Sequence, residues 1–257
     1  MQVRPKKPLG QHFLNDQSIA SRIADTVDAA ADLPILEVGP GMGVLTQYLL
    51  PKGRRLKVVE LDMESVNYLR RTIPSLSDSI IEGDFLKMDL SKVFDGNSFV
   101  LTGNYPYNIS SQIFFKMLDY KDIIPCCTGM IQKEVADRLC SPPGSKVYGV
   151  LSIFLQAWYD VEYLFTVGPH VFTPPPKVQS AVIRMRRNSR TSLGCDELLF
   201  RRIVKSVFTM RRKMLRNGMR QIVGDHPMLR DPIFMQRPEQ LSVEDFIDLT
   251  NRVSSEL

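Results

Sequence analysis

Four short apolar runs, each closed by a polar or glycine-rich turn, organise the first half of the chain: "LPILEVGPGMG", "LKVVELD", "SIIEGDF" and "SFVLTGNYPYN". Between the first two lies "VLTQYLLPKG", helical in pattern and closed by Pro and Gly; between the second and third lies "ESVNYLRRTI". Strands alternating with helices in this way predict a parallel sheet wrapped by helices. Further on, "CCTGMIQ", "VLSIFLQAWYDVEYLFTV" and "SAVIRMR" supply three more strands and a helix. The polar stretch "RNSRTSLGC" interrupts this pattern and places a boundary there, giving domains 1–187 and 188–257. Beyond it, "DELLFRRIVKSVFTMRRKMLRNGM" reads as helical and strongly basic, and "LSVEDFIDLTNRV" as a final helix with Ser242 as its N-cap. The expected fold is α/β with a mostly parallel seven-stranded sheet, followed by a small all-helical C-terminal domain.

In open parallel sheets the ligand lies beyond the carboxyl ends of the strands. The polar residues fall at those ends. After the first run come Glu37, Gly39, Gly41 and Gly43, a glycine-rich turn that brings backbone close to a ligand. Its spacing is GxGxG, not the dinucleotide GxGxxG, which weakens a nicotinamide reading. Glu60 ends the second run, 21 residues after Gly39, where an acid can take both hydroxyls of a ribose. Asp84 follows the third run and could accept from an adenine amino group. Singly, each reads as a solvated charge or a cap. At three successive strand ends they describe a pocket for an adenosine-bearing cofactor without a pyrophosphate.

The fourth run ends in "TGNYPYNIS", either a turn or a site for a flat polar ring. An exocyclic amino group on an aromatic base has its lone pair drawn into the ring. The Asn104 side-chain oxygen and a carbonyl beside Pro106 are two acceptors that would localise that pair and aim it at an electrophile. Tyr107 could stack on the base face.

Charge adds a partner to this picture. The chain carries a net +5 and a sequence pI near 9.0. From Arg184 to Arg220 twelve Lys/Arg face two acids, a surplus of ten, which leaves the rest of the chain at −5. A polyanion is the expected partner, with Arg211, Arg212, Lys213 and Arg216 as candidate phosphate contacts and a solvated helix face as the plain alternative. Four cysteines (126, 127, 140, 195) show no CxxC pair and no zinc-like spacing, so neither disulfide nor metal is signalled. With no signal peptide and no membrane-length apolar run, a soluble cytoplasmic protein is expected. Gln11 and Phe13 read as anchors of an N-terminal arm; Trp158 and the methionines read as core.

Taken together, "LGQHFLND", "EVGPGMGVLT", "VVELD", "GDFL", "GNYPYNISSQI", "QKEVADRL", "FTPPPKVQSAV" and "FTMRRKMLRN" occur in the order and spacing of the ribosomal RNA adenine dimethyltransferases. The chain resembles that family from about Lys7 to the C-terminal helices, most nearly its bacterial small-subunit branch, whose loss gives kasugamycin resistance. The resemblance implies a Rossmann-like S-adenosylmethionine-dependent methyltransferase domain with a small helical domain. It implies transfer of methyl groups to N6 of two adjacent adenines in a hairpin loop near the 3′ end of small-subunit (16S) RNA during ribosome assembly. Small-subunit RNA and the assembling subunit are the implied partners, with no membrane, no metal and a monomeric state.

Residue by residue, the resemblance places His12, Leu14, Gly39, Gly41, Glu60, Leu61, Asp84, Phe85 and Asn104 at the cofactor, with Glu60 on its ribose and Asp84 on its adenine amino group. Asn104, Tyr105, Pro106 and Tyr107 fall at the methyl-accepting site, and Phe172 matches an aromatic that stacks on the target base. His12 stands where many relatives have Asn. Tyr105 stands where an aliphatic residue is usual, at a position whose backbone carbonyl the family uses. The related macrolide-resistance enzymes, which act on one adenine of large-subunit RNA, fit less well, because "FTMRRKMLRN" and "RPEQLSVEDF" resemble the C-terminal domain of the small-subunit branch. A non-catalytic RNA-binding descendant would have little physical need for Glu60, Asp84 and "NYPY" together.

Overall fold

The computed structural model describes residues 3–256. They form two compact units, one of residues 3–136 and 160–187, the other of 137–159 and 188–256. The second unit thus takes in a segment, 137–159, that lies well before the boundary expected at residue 187. That segment carries the helix Val150–Gln156, whose apolar side chains pack against the later helices.

In the first unit, strands β2 (Ile35–Val38), β3 (Leu56–Glu60), β4 (Ile80–Glu82), β5 (Val100–Asn104), β6 (Cys126–Gln132), β7 (Tyr159–Val167) and β9 (Ser180–Arg187) form one sheet. Its order is β4-β3-β2-β5-β6-β9-β7. The first five are mutually parallel, and β9 runs antiparallel to β6. β2 is buried at all four positions, which is why it reads as an unbroken apolar run rather than an alternating one. Two-residue strands β1 (Phe13–Leu14) and β8 (Phe172–Thr173) pair separately, antiparallel. Such short pieces carry no periodicity for a sequence to show.

Helices α1 (Gln17–Asp25), α2 (Thr46–Leu49), α3 (Met63–Thr72) and α4 (Ser110–Asp119) connect these strands. Asp16 caps α1, accepting from the amides of Ser18 and Ile19 at 2.9 and 3.2 Å. Asp62 caps α3, accepting from Glu64 N at 3.1 Å. Ala20, Ile23 and Ala24 of α1 and Leu49 of α2 close one core with Ile35, Val58, Val100 and Met130 from the sheet. Helix α5 (Lys133–Cys140) follows β6 and precedes α6 (Val150–Gln156).

In the second unit the basic stretch read as one helix is two, α7 (Glu197–Thr209) and α8 (Leu215–Val223), with a turn over residues 210–214. Gly218, inside α8, lets the two helices meet closely. A Cβ there would stand 2.5 Å from the Val207 Cα, so α8 folds back on α7 at a distance only glycine allows. Helix α9 (Val243–Glu256) opens on a reciprocal cap, Asp245 N donating to Ser242 Oγ at 3.0 Å and Ser242 N to Asp245 Oδ2 at 2.8 Å. Trp158 is buried, but Met63, Met210, Met214 and Met235 are exposed rather than core. Met210 and Met214 are exposed because they bound the turn. No helix among the described residues is long and apolar enough to cross a membrane.

Candidate active site

The chain runs from β2 to β3 on one side and reaches β5 on the other, so the sheet order reverses between β2 and β5. A cavity of about 210 Å³ opens at that point, walled by the carboxyl ends of β2 to β5 and by residues 9–14 of the N-terminal arm. His12, Leu14, Gly39, Gly41, Glu60, Leu61, Asp84, Phe85, Asn104, Tyr105, Pro106 and Tyr107 all line it.

Glu60 is the best-buttressed acid of the wall. Its Oε1 accepts from the amides of Leu61 and Asp62, each at 2.9 Å, and its Oε2 from Gly41 N at 3.0 Å. Burial pushes its pKa up, while the amides of Asp62, Gly41 and Leu61 hold the ionised form. Oε2 keeps one lone pair for a ligand. Gly41 sits at φ 55°, and a Cβ on it would crowd the Phe13 ring at 3.0 Å. The three glycine amides of the turn are engaged within the protein: Gly39 N donates to the Val59 carbonyl at 3.0 Å, Gly41 N to Glu60, and Gly43 N to the Pro40 carbonyl at 2.8 Å. The turn is therefore a scaffold for Glu60 rather than a phosphate cradle, and no Lys or Arg appears among the described residues lining the cavity.

Asp84, which lines the cavity beside buried Phe85, accepts from Leu86 N at 2.9 Å through Oδ1, as a cap does, while its Oδ2 lies 3.7 Å from the exposed Lys87 ammonium, beyond hydrogen-bond reach, and so can still accept from a ligand. Leu61, 52% exposed, offers apolar surface at the rim. The arm is pinned from both sides. Lys6 pairs with the buried Asp62, Gln11 Nε2 reaches Asp62 Oδ2 at 3.4 Å, and Asn108 Nδ2 donates to the Pro8 carbonyl at 3.2 Å.

Asn104 Nδ2 donates to the His12 carbonyl at 3.1 Å. A carbonyl only accepts, so this bond fixes which way the amide faces and frees Oδ1 for the cavity that Asn104 lines. The His12 ring turns elsewhere. Its Nδ1 donates to the Pro174 carbonyl at 2.8 Å, and the ring stacks on Tyr107 with centroids 5.3 Å apart. The Tyr107 hydroxyl bonds Ser180 Oγ, and burial pushes its pKa up.

Phe172 is not brought to this wall. Its backbone pairs with Leu14, and its ring, 3% exposed, packs in the hydrophobic core with Val171 and Leu14. A single aromatic letter shows no direction, and here the two-stranded pairing turns the ring inward.

In the second unit Arg212 and Lys213 are exposed and Arg216 is half-buried. Arg211 differs. It donates to the Lys146 carbonyl and lies 3.9 Å from Glu239, contacts that tie the turn down.

Residues 3–253 match the family described as ribosomal RNA adenine dimethylase. The chain belongs to the ribosomal RNA adenine dimethylase family. Among curated relatives, a ribosomal RNA small subunit methyltransferase A of Phocaeicola vulgatus is 69% identical over 99% of this chain and 91% of its own. One from Porphyromonas gingivalis is 59% identical over 97% and 98%. A dimethyladenosine transferase from Plasmodium falciparum has the same fold, with a TM-score of 0.80 at 22% identity over 95% of this chain and 98% of its own. The 23S rRNA methyltransferase ErmE gives 0.70 at 25% identity over 93% and 99%.

One wall residue of this dimethylase was given no role from sequence. Glu37 ends up 1% exposed, accepting from Thr46 Oγ1 at 2.7 Å. Burial, with the charge of Glu60 adding to it, pushes its carboxyl up to about 8. The signal was present: an acid inside a strand otherwise apolar on both faces.

Proposed function

We propose that this chain transfers methyl groups from S-adenosylmethionine to N6 of two adjacent adenines in a hairpin loop near the 3′ end of 16S rRNA, giving N6,N6-dimethyladenine during small-subunit assembly in the cytoplasm. The observation that carries the reading is Asn104, its amide turned by the His12 carbonyl so that Oδ1 serves the cavity. Identity of 59–69% to small subunit methyltransferase A relatives, against 25% to a 23S enzyme, favours the small-subunit RNA.

The wall suits the cofactor. Glu60 and Asp84 line it with no Lys or Arg among the described lining residues, which favours a ligand bearing positive charge, and the three glycine amides of the turn are engaged within the protein rather than turned to a pyrophosphate. Glu60 Oε2 takes the ribose; Asp84 Oδ2 takes the adenine amino group between Leu61 and Phe85. When bound, the sulfonium cofactor supplies an electrophilic methyl group. At the acceptor end, Asn104 Oδ1 and the Tyr105 carbonyl hold the hydrogens of the target amino group and localise its lone pair, while Tyr107 presents a ring face. Methylation of unmodified small subunits, with the modified base mapped, tests this directly. Label in large-subunit RNA, or none, would overturn it.

Two expectations follow from individual residues. Glu60→Ala should weaken S-adenosylmethionine binding by roughly 1.5 to 3 kcal/mol, the scale of hydrogen bonds to a charged group. Calorimetric titration reads this, and unchanged affinity would remove Glu60 from the cofactor's contacts. In the second unit, neutralising Arg212, Lys213 and Arg216 should flatten the salt dependence of RNA binding by about 0.7 to 0.9 in log-log slope for each phosphate no longer neutralised. Arg211→Gln should change that slope less, because its guanidinium is engaged within the unit.

A further inference from the structure

The side chain of Tyr105 has no part in the function just described, yet it is among the most deeply buried of the chain, 1% exposed. The residue follows Asn104 directly, and its own backbone carbonyl is the second proposed acceptor. Its hydroxyl donates to the Thr128 carbonyl at 2.9 Å and lies 3.2 Å from Cys127 Sγ. With the phenol hydrogen committed to Thr128, the thiol is the donor to the phenol oxygen. Burial pushes the Cys127 pKa up and keeps that hydrogen in place.

The space for this ring is made by two glycines. Gly103 and Gly129 sit opposite one another across β5 and β6. A Cβ on Gly129 would stand 2.6 Å from a ring carbon of Tyr105, and one on Gly103 3.3 Å from another. Phe114 meets the ring edge-on, with centroids 5.7 Å apart. The residue is therefore held twice to β6, by its backbone amide on the Met130 carbonyl at 3.0 Å and by its phenol on Thr128. The amide bond alone would continue the strand pairing. The phenol adds a second fixed point, and two points set the peptide planes on both sides of residue 105.

We propose that Tyr105 is a positioning residue: its buried phenol, anchored on Thr128, orients the Asn104 amide and its own backbone carbonyl as the pair of acceptors for the target amino group. This rests on the proposed methyl transfer. A misplacement of about an ångström at a reacting centre costs up to roughly a hundredfold in rate. Ordinary packing would need the ring but not its hydroxyl, so Tyr105→Phe separates the two roles.

The experiment is a single-turnover assay of the full chain on unmodified small subunits, with saturating S-adenosylmethionine and resolution of mono- from dimethyladenine. Transfer by the parent is established first; if the parent methylates nothing, it is the functional reading that fails. Tyr105→Phe is then expected to run about tenfold slower, with a raised monomethyl fraction, while dissociation constants for the cofactor and for the ribosomal particle stay within about twofold of the parent. Tyr105→Leu, which keeps apolar bulk without the phenol, is expected to behave alike. Parental rates in either folded variant would overturn the proposal. So would a rate loss matched by an equal loss of cofactor affinity or a lowered unfolding midpoint, since Tyr105 would then be a packing residue.

Discussion

Asn104→Ala is expected to slow the methyl-transfer step by on the order of a hundredfold or more, with much smaller changes in RNA and cofactor affinity. The acceptor duty of Oδ1 grows as the target nitrogen leaves the plane of its ring, so the loss falls on the chemical step rather than on binding. The variant also loses the bond from Nδ2 to the His12 carbonyl, which loosens one tether of the arm. Lys6 on Asp62 and Asn108 on Pro8 remain to hold it, so the cavity should survive. Asn104→Asp provides the contrast: it keeps an acceptor but sets a carboxylate oxygen against the His12 carbonyl, so the arm is repelled rather than merely released. Because the second methylation starts from a nitrogen with one hydrogen left, the two steps should suffer unequally and monomethyladenine should accumulate. Single-turnover assays with saturating RNA and cofactor measure both steps. Parental turnover in Asn104→Ala would reduce "NYPYN" to a turn.

What the sequence showed of this site followed from where its information is local. Strands β2, β3 and β5 are largely buried in a parallel sheet and the edge strand β4 still carries the apolar pair Ile80 and Ile81, so their apolar runs stand out and the polar residues at their ends mark the cavity. Glu60 and Asp84 were legible for that reason. What depended on distant contacts was not. The close meeting of α7 and α8 turns on Gly218 against Val207, and no pattern in the basic run announces it. Phe172 reads as a base-stacking ring until its pairing with Leu14 turns it into the core. Arg211 looks like its neighbours until the Lys146 carbonyl claims it. Glu37 and Tyr105 are the opposite case. Each is out of keeping with its surroundings, an acid in a buried strand and a phenol in a turn, and a residue that breaks the local pattern is a pointer to a site.

Glu37→Gln is expected to make the protein more stable than its parent at pH 8 and above, and to flatten its stability between about pH 5 and 8. The folded carboxyl titrates near 8, against an ordinary value of 4.5, because burial penalises the ion and the Glu60 charge adds to that penalty. Well below pH 4.5 both folded and unfolded chains hold the proton, and the contribution favouring the folded state is fully present. As pH rises, the unfolded chain releases its proton first while the folded chain keeps it. The unfolded state is thereby favoured, and stability falls until the folded group itself ionises near 8, beyond which the loss is complete. At about 1.4 kcal/mol per pH unit the whole loss is on the order of a few kcal/mol, a large share of a typical domain's stability. The amide introduced by Glu37→Gln would retain an oxygen for Thr46 Oγ1, which now donates to Glu37 at 2.7 Å, and would remove only the titration. Urea unfolding of parent and variant at matched pH values isolates the effect together with its coupling to Glu60, since the remaining titrating groups move both curves together. Parallel curves from pH 5 to 9 would mean that Glu37 ionises in the cavity at an ordinary pH, and that the acid beneath the glycine turn meets its ligand charged.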